Sequence, residues 1–340
     1  TLHRDLRRSY TAPTALHVPP AVEYAPVPTH LPPMTSPDSN AAVPARGVAV
    51  VVALAIVYLV WGSTYLGIHF ALEGGFPPFL MAGGRFLLAG ALMYAVLRWR
   101  GVPAPTRAQW KDLMFMGVLL MVLGNGMVSI AEQWVSSGLA AVAIASTPLW
   151  MGLFAAMRGH HPSRLEWVGP GIGFVGVLWL NAGSSLLANP KGLIALLIAP
   201  IAWAYGSIWS RERDLPSPFM SAAGQMICGG LMMLVIGFAL GEHFDGMPST
   251  KAILSVVYLL IFGSIIGFTA YVWLLHHVRP ALAGSYAYVN PVIAVGLGAW
   301  LAAERFTAHD LGAMVVILSG VIAITLAKAR KNKPVAEDKQ

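Results

Sequence analysis

Apolar and polar residues are segregated along this chain in blocks. From Val48 onward ten apolar segments follow one another, near 48–71, 78–97, 112–131, 138–157, 165–181, 192–210, 218–240, 252–275, 281–303 and 309–327, separated by short polar stretches. Runs of about twenty residues match the ~30 Å hydrocarbon layer of a bilayer. Inside hydrocarbon an isolated segment can pair its own N–H and C=O groups only as a helix. The pattern therefore predicts an all-α membrane protein with ten transmembrane helices. The ends of the fifth and sixth segments are the least defined, because the stretch from Asn181 to Pro190 is short and polar.

The segments fall into two similar halves at an offset of about 143 residues. Gly138-Leu139-Ala140 with Pro148 aligns with Ala281-Leu282-Ala283 with Pro291, and Gly124 falls on Gly267. With small gaps, Pro78-Phe79 falls on Pro218-Phe219, Gly84 on Gly224, Gly90 on Gly230, and Gly62-Ser63 on Gly206-Ser207. A five-helix repeat is odd-numbered, so the second copy enters the membrane inverted, about an axis in the membrane plane. Charge agrees: the loops after segments two and four carry Arg98, Arg100, Arg107, Lys111, Arg158 and Arg164. Their second-half counterparts carry Glu242, Asp245, Lys251, Glu304, Arg305 and Asp310. Leaving out Arg4, Arg7, Arg8 and the intramembrane Arg85, fifteen Lys and Arg fall on the face that holds both chain ends and three (Lys191, Lys251, Arg305) on the other. The positive-inside rule then puts both termini in the cytoplasm of a bacterial cell, with the chain multi-pass in its cytoplasmic membrane.

Composition narrows the class further. Of 340 residues 56% are hydrophobic and 11% charged, against about 25% charged in a soluble domain. The net charge of +7 does not point to nucleic acid, since the basic residues sit at the ends of apolar runs, where anionic lipid is the simpler partner. The single cysteine, Cys228, excludes a disulfide framework or a cysteine-built metal site within one chain. Residues 1–46 contain nine prolines, the basic patch Arg4, Arg7 and Arg8, and no periodic apolar face. They read as a disordered cytoplasmic arm without the continuous apolar stretch of a cleaved signal. A start at Met34 would leave a short lead. Residues 47–185 and 186–328 form the two repeats and 329–340 a basic cytoplasmic tail.

Four stretches carry a family signature: Trp61-Gly62-Ser63-Thr64-Tyr65, Met81-Ala82-Gly83-Gly84-Arg85-Phe86, Gly124-Asn125-Gly126-Met127 and Ser285-Tyr286-Ala287-Tyr288-Val289-Asn290-Pro291-Val292. Over roughly residues 48–328 the chain resembles the EamA-domain exporters of the drug/metabolite transporter superfamily, in their YedA-like branch. The resemblance implies two inverted five-helix EamA repeats, a central cavity framed mainly by helices three, four, eight and nine, and export of amino acids or similar metabolites. Family members often close each repeat with Gly-Glu near the end of the fourth helix. Glu304 keeps that acid, whereas the first-half counterpart reads Gly159-His160-His161.

Candidate substrate contacts follow from polar and aromatic residues at membrane depth. Arg85 lies about 10 Å into helix two, where an arginine costs on the order of 3 kcal/mol unless it faces protein or water. It could anchor a substrate carboxylate, form a gate with Glu132, or cap carbonyls and snorkel outward. Pro148 and Pro291 each deprive a carbonyl four residues back, on Ile144 and Ala287, of its helical partner. Thr147 and Asn290 beside them either line a cavity or sit at packing kinks. Trp61 and Trp203 hold matching depths in helices one and six, where they either flank an apolar substrate or simply pack. Tyr58, Trp61 and Tyr65 share one face of helix one. Ser63, Asn125, Tyr271, Tyr286 and Tyr288 complete the polar set, with Tyr286 one turn from Asn290. Glu132 and His69, at outer helix ends, either titrate as coupling groups or lie in outside water.

Two apparent motifs are set aside. Gly171, Gly173 and Gly176 spell GxGxxG without the preceding strand a dinucleotide site requires, and suit close helix packing instead. His160-His161 and His276-His277, adjacent pairs on separate cytoplasmic loops, are weak evidence for a metal site. No metal, cofactor or nucleic acid is expected. The partners are a small-molecule substrate, the lipid bilayer and a proton or counter-solute as possible coupling species, with the oligomeric state left open. The leading function is a secondary transporter working by alternating access. An intramembrane enzyme would need a nucleophile or metal constellation that the sequence lacks, and a non-transporting membrane partner would show no saturable flux.

Overall fold

The computed structural model describes residues 42–159, 171–172, 175–176, 179, 189–278, 280–309, 311–316 and 318–320. Most of segment five, much of segment ten, the arm up to residue 41, His160-His161 and the tail 329–340 lie outside them. All regular structure among the described residues is helical. Seven helices are long and apolar enough to cross a membrane: α1 Gly47–Glu73, α2 Pro78–Trp99, α3 Arg107–Ala131, α4 Ser137–Met157, α5 Pro190–Ser210, α6 Pro218–Ala239 and α7 Thr250–His277. Two shorter apolar helices follow, α8 Tyr286–Leu301 and α9 Leu311–Gly320.

Local chemistry explains most boundaries. Proline occupies the first turn of α2, α5 and α6, where its missing N–H goes unmissed. Thr106 and Gln109 form a reciprocal capping box at the start of α3, and the Ser136, Asn189 and Ser249 side chains accept from first-turn N–H groups of α4, α5 and α7. Just beyond α2 and α6, Gly101 (φ 80°) and Gly241 (φ 79°) turn the chain in the left-handed conformation that glycine adopts without steric cost.

Two carboxylates from the second half cap helices of the first. Glu242 Oε1 and Oε2 accept from the N–H groups of Phe79 (3.1 Å) and Leu80 (2.9 Å) at the start of α2. Glu304 accepts from Ser137 N (2.9 Å), Ser137 Oγ (2.7 Å) and Gly138 N (3.3 Å) at the start of α4. Each carboxylate satisfies N–H groups that have no partner within the helix and faces the positive end of its dipole. These contacts bring the loop after α6 to the start of α2 and the loop after α8 to the start of α4. At the other ends, Arg158 after α4 pairs with Glu212 after α5, and Arg211 donates to Leu275 O near the end of α7.

The repeat-related helices α2 and α6 run antiparallel and touch at the backbone. A Cβ built on Gly83 would stand 2.9 Å from the Gly230 carbonyl oxygen, and one on Gly90 would stand 2.8 Å from that of Ala223. Small residues permit this approach, and close packing then replaces the hydrophobic drive that lipid removes.

The expected kinks differ between halves. In segment four the helix breaks at Ala145-Ser146, just before Pro148, and resumes at Thr147. In segment nine the chain breaks at Gly284-Ser285, after a single turn Pro280–Ala283, and Pro291 sits inside α8. Three π-helical stretches, Val57–Trp61 in α1, Gly117–Gly126 in α3 and Leu259–Gly267 in α7, were not expected.

Candidate functional site

The π-helical stretches of α3 and α7 occupy corresponding places in the two halves, and each makes room for a tryptophan of the opposite half. A Cβ on Gly267 would stand 2.6 Å from Trp61 Nε1, and one on Gly124 would stand 2.7 Å from Trp203 Cε3. Trp61 Nε1 donates at 3.2 Å to Gly263 O, which also accepts a backbone N–H at the end of the π stretch of α7. The two indoles meet edge to face at 5.5 Å, a favoured aromatic geometry. Tyr271 and Tyr286 stand 4.9 and 5.0 Å from Trp61, and Phe268 stacks on it at 6.5 Å.

This aromatic cluster forms one wall of a cavity of about 60 Å³, room for roughly four waters at ~15 Å³ of occupied volume each. Helix α1 contributes Trp61, Thr64, Tyr65 and Ile68, α2 contributes Arg85 and Phe86, and α3 contributes Asn125 and Val128. The segments numbered four and nine supply one residue each, Ile144 and Tyr286. The frame therefore rests more on helix one than the resemblance implied, because the π turn of α1 carries Trp61 inward.

Arg85 is 3% exposed. Its guanidinium lies over the Phe86 ring at 4.4 Å, its Nε has no partner, and it forms no ion pair among the described residues. The Arg85–Glu132 gate is thus not formed in this conformation. Glu132 is 4% exposed, with neither carboxylate oxygen hydrogen-bonded among the described residues, so it is not bathed in outside water. Burial, then the nearby Glu304 carboxylate, push the Glu132 carboxyl well above the usual range, and Arg85 partly opposes them.

Of the residues singled out from sequence, Trp61, Arg85, Asn125, Trp203 and Tyr286 line the cavity. Asn125 Nδ2 donates to Leu120 O at 3.3 Å, within the π stretch of α3. Tyr271 stands behind the wall, its hydroxyl held by Trp203 Nε1 (3.0 Å) and Ser207 Oγ (2.8 Å). Asn290 is buried outside the lining. With its amide oriented by its surroundings, Nδ2 donates to Tyr58 O (3.2 Å) and Tyr286 O (3.1 Å), tying α8 to the π turn of α1.

Three candidates point elsewhere. Thr147 turns back on its own helix, its hydroxyl donating at 2.6 Å to the Ile144 carbonyl that Pro148 frees, so the kink is satisfied locally. Ser63 bonds the carbonyls of Leu59 and Val60 and the Tyr258 hydroxyl in an open groove between α1, α7 and α8. His69 is half-buried beside the Phe70 ring, 6.0 Å between centroids. Thr64, Phe86 and Phe268 line the cavity without having been singled out. The Gly124–Gly267 match was the available signal for the Phe268 neighbourhood, since a paired glycine marks a close neighbour.

An aromatic cavity that holds a buried arginine without an ion pair among the described residues, enclosed by long apolar helices, suits a membrane transport protein. Residues 48–182 and 190–326 each match the EamA-like transporter family, and the chain belongs to that family. It is 43% identical over 277 residues to YedA of Escherichia coli (strain K12), an uncharacterized inner membrane transporter, covering 81% of this chain and 90% of that one. An uncharacterized transporter of Bacillus subtilis (strain 168), YvbV, is 24% identical over 284 residues, covering 82% and 92%. A solved crystal structure superposes with a TM-score of 0.62 at 20% identity, covering 83% of this chain and 98% of that one. It shares the fold.

Proposed function

We propose that this protein is a secondary transporter of small amphipathic metabolites, amino acids or similar solutes and drugs, built as ten helices in two inverted repeats. It exports them across a bacterial inner membrane by alternating access, with both termini cytoplasmic. The relative in Escherichia coli is an inner membrane transporter by name, and the antiparallel α2 and α6 support inversion. The observation that carries the substrate class is Arg85, a buried guanidinium without a carboxylate partner, facing a cavity walled by Trp61, Trp203 and Tyr286. A buried cation of this kind gains most from a ligand that brings its own anion. The indoles suit an apolar or flat body beside that anion. The cavity is smaller than an amino acid, so loading widens it as the halves move apart. In this reading Asn290 sets the position of Tyr286, and Glu132 is the candidate for a coupling proton.

A flux screen in proteoliposomes over amino acids and aromatic metabolites tests the proposal, with Arg85→Ala, Trp61→Ala and Asn290→Ala in parallel. Loss of a charge-assisted hydrogen bond is worth about 1.5–3 kcal/mol, so Arg85→Ala is expected to weaken carboxylate-bearing solutes by roughly 10- to 100-fold. Parental rates in all three well-folded variants would remove the site assignment. Turnover of a lipid or peptide without solute flux would favour an enzyme.

A further inference from the structure

We infer that Gln225 is the counterpart of Arg85 in the opposite-facing state, a neutral amide that meets the solute's polar head once the cavity opens to the other side. The inference rests on the transport reading above and adds a second contact residue to it.

Three observations carry it. The first is register. Helices α2 and α6 each begin with a proline, Pro78 and Pro218, and each is followed at the same interval by a left-handed glycine, Gly101 and Gly241. Counting from either end, Arg85 and Gln225 are the same position.

The second is that the equivalence is kept in the packing. Exchanging the two halves turns the contact of Gly83 with Gly230 into one of Ala223 with Gly90, and both contacts exist. Likewise Gly230 lies against the Leu87 amide and Gly90 against the Ile227 amide, and these pairs also exchange. Helices α2 and α6 therefore meet across a local two-fold axis.

The third is the state of the two side chains. Arg85 faces the cavity. Gln225 is 0% exposed, and neither Nε2 nor Oε1 has a hydrogen-bond partner among the described residues. An amide sealed without partners destabilises the state in which it is sealed, and a methionine or leucine would fill the same space without that cost. An exchange of conformation between the halves relieves it. When two inverted repeats swap shapes about a shared axis, the cavity closes on one side and opens on the other. The position in α6 then faces the newly opened cavity as the position in α2 faced the first, related to it by the two-fold axis.

The chemistry of the two faces differs. Arg85 offers a permanent positive charge and a fork of donors. Gln225 offers one donor group and one acceptor, so it can take a carboxylate or an ammonium but attracts neither by charge. Apparent affinity is accordingly higher from the face to which Arg85 opens. Net direction is then set by the gradients across the membrane.

The test uses the full-length chain with its single native cysteine removed, Cys228→Ser. Gln225→Cys and Arg85→Cys are introduced separately, and intact and inverted membrane vesicles are treated with a small membrane-impermeant thiol reagent. The expected result is labelling of Arg85→Cys from one face and of Gln225→Cys from the other. Absence of labelling of Gln225→Cys from both faces, at a dose that labels Arg85→Cys and the denatured chain, would overturn the inference. So would labelling of both from the same face. In proteoliposomes, Gln225→Met is expected to raise the half-saturating solute concentration about tenfold at the Gln225 face and leave the Arg85 face unchanged. Equal values for parent and variant at both faces would also count against it. If the parent moves no solute at all, the transport reading falls, and the labelling result still decides whether Gln225 reaches water.

Discussion

Glu242, Glu304 and Glu132 are all carboxylates at helix ends, yet their surroundings divide them. Glu242 and Glu304 each receive at least two donors from the start of a helix, while Glu132 has none. Glu304, which the family pattern singled out, thus has a local task that needs no partner acid in the first half. For Glu132 the consequence is a pH dependence of stability. Its carboxyl is raised by burial, by Glu304 and against the opposing pull of Arg85. Between the ordinary carboxylate range and that raised value the native state keeps a proton that the unfolded chain has released. Stability therefore falls as pH rises through this window. Thermal unfolding in detergent should show Glu132→Gln gaining on the parent as pH increases, and parallel pH profiles would contradict the assignment. The identity of this residue was legible in the sequence. Its isolation was not, because the Arg85 expected beside it is turned over Phe86 instead.

At the scale of elements, hydrophobic runs predicted helices but not their inner geometry. A π turn adds a residue to a helix without changing its composition, so Val57–Trp61, Gly117–Gly126 and Leu259–Gly267 left no mark in the pattern. Proline did announce a break in segment four. In segment nine Gly284-Ser285 supplied the break, and Pro291 continued inside α8. Glycines in the paired helices α2 and α6 also differ in what they do. A Cβ at Gly230 would meet the α2 backbone, with the Gly83 oxygen at 2.9 Å, whereas Gly84 has nothing within 4 Å. Gly230→Val is expected to destabilise by about 3 kcal/mol, at the upper end of overpacking. Gly84→Ala is expected to be neutral or to stabilise by up to about 1 kcal/mol through helix propensity. Melting temperatures of the two variants check the contrast, and equal shifts would mean that α2 and α6 are not in backbone contact.

For the whole molecule, charge underlies the proposed orientation and packing fixes which loops share an end of the α2–α6 pair. In the proposed topology, which rests on arginine and lysine counts, the loop after α2 is cytoplasmic. The capping contact of Glu242 puts the loop after α6 at the opposite end of that helix pair. In a Cys228→Ser background, Gly246→Cys should react with an impermeant thiol reagent from outside the cell, and Ala104→Cys only after the membrane is opened. Both positions are exposed, and the reverse pattern would invert the topology.

Sequence by itself determined the membrane class, the helices of the described segments and the presence of two family repeats. Each of these follows from the order and spacing of side-chain types, which survive in a one-dimensional string. The tertiary structure decided which polar residues face the cavity. Arg85 and Asn125 do so, whereas Thr147 bonds its own helix and Ser63 faces an outer groove. It also decided that Glu132 and Gln225 are sealed without partners. A residue's facing depends on local helix pitch and on what the neighbouring helix presents, and membrane segments have no alternating polar stripe to reveal either.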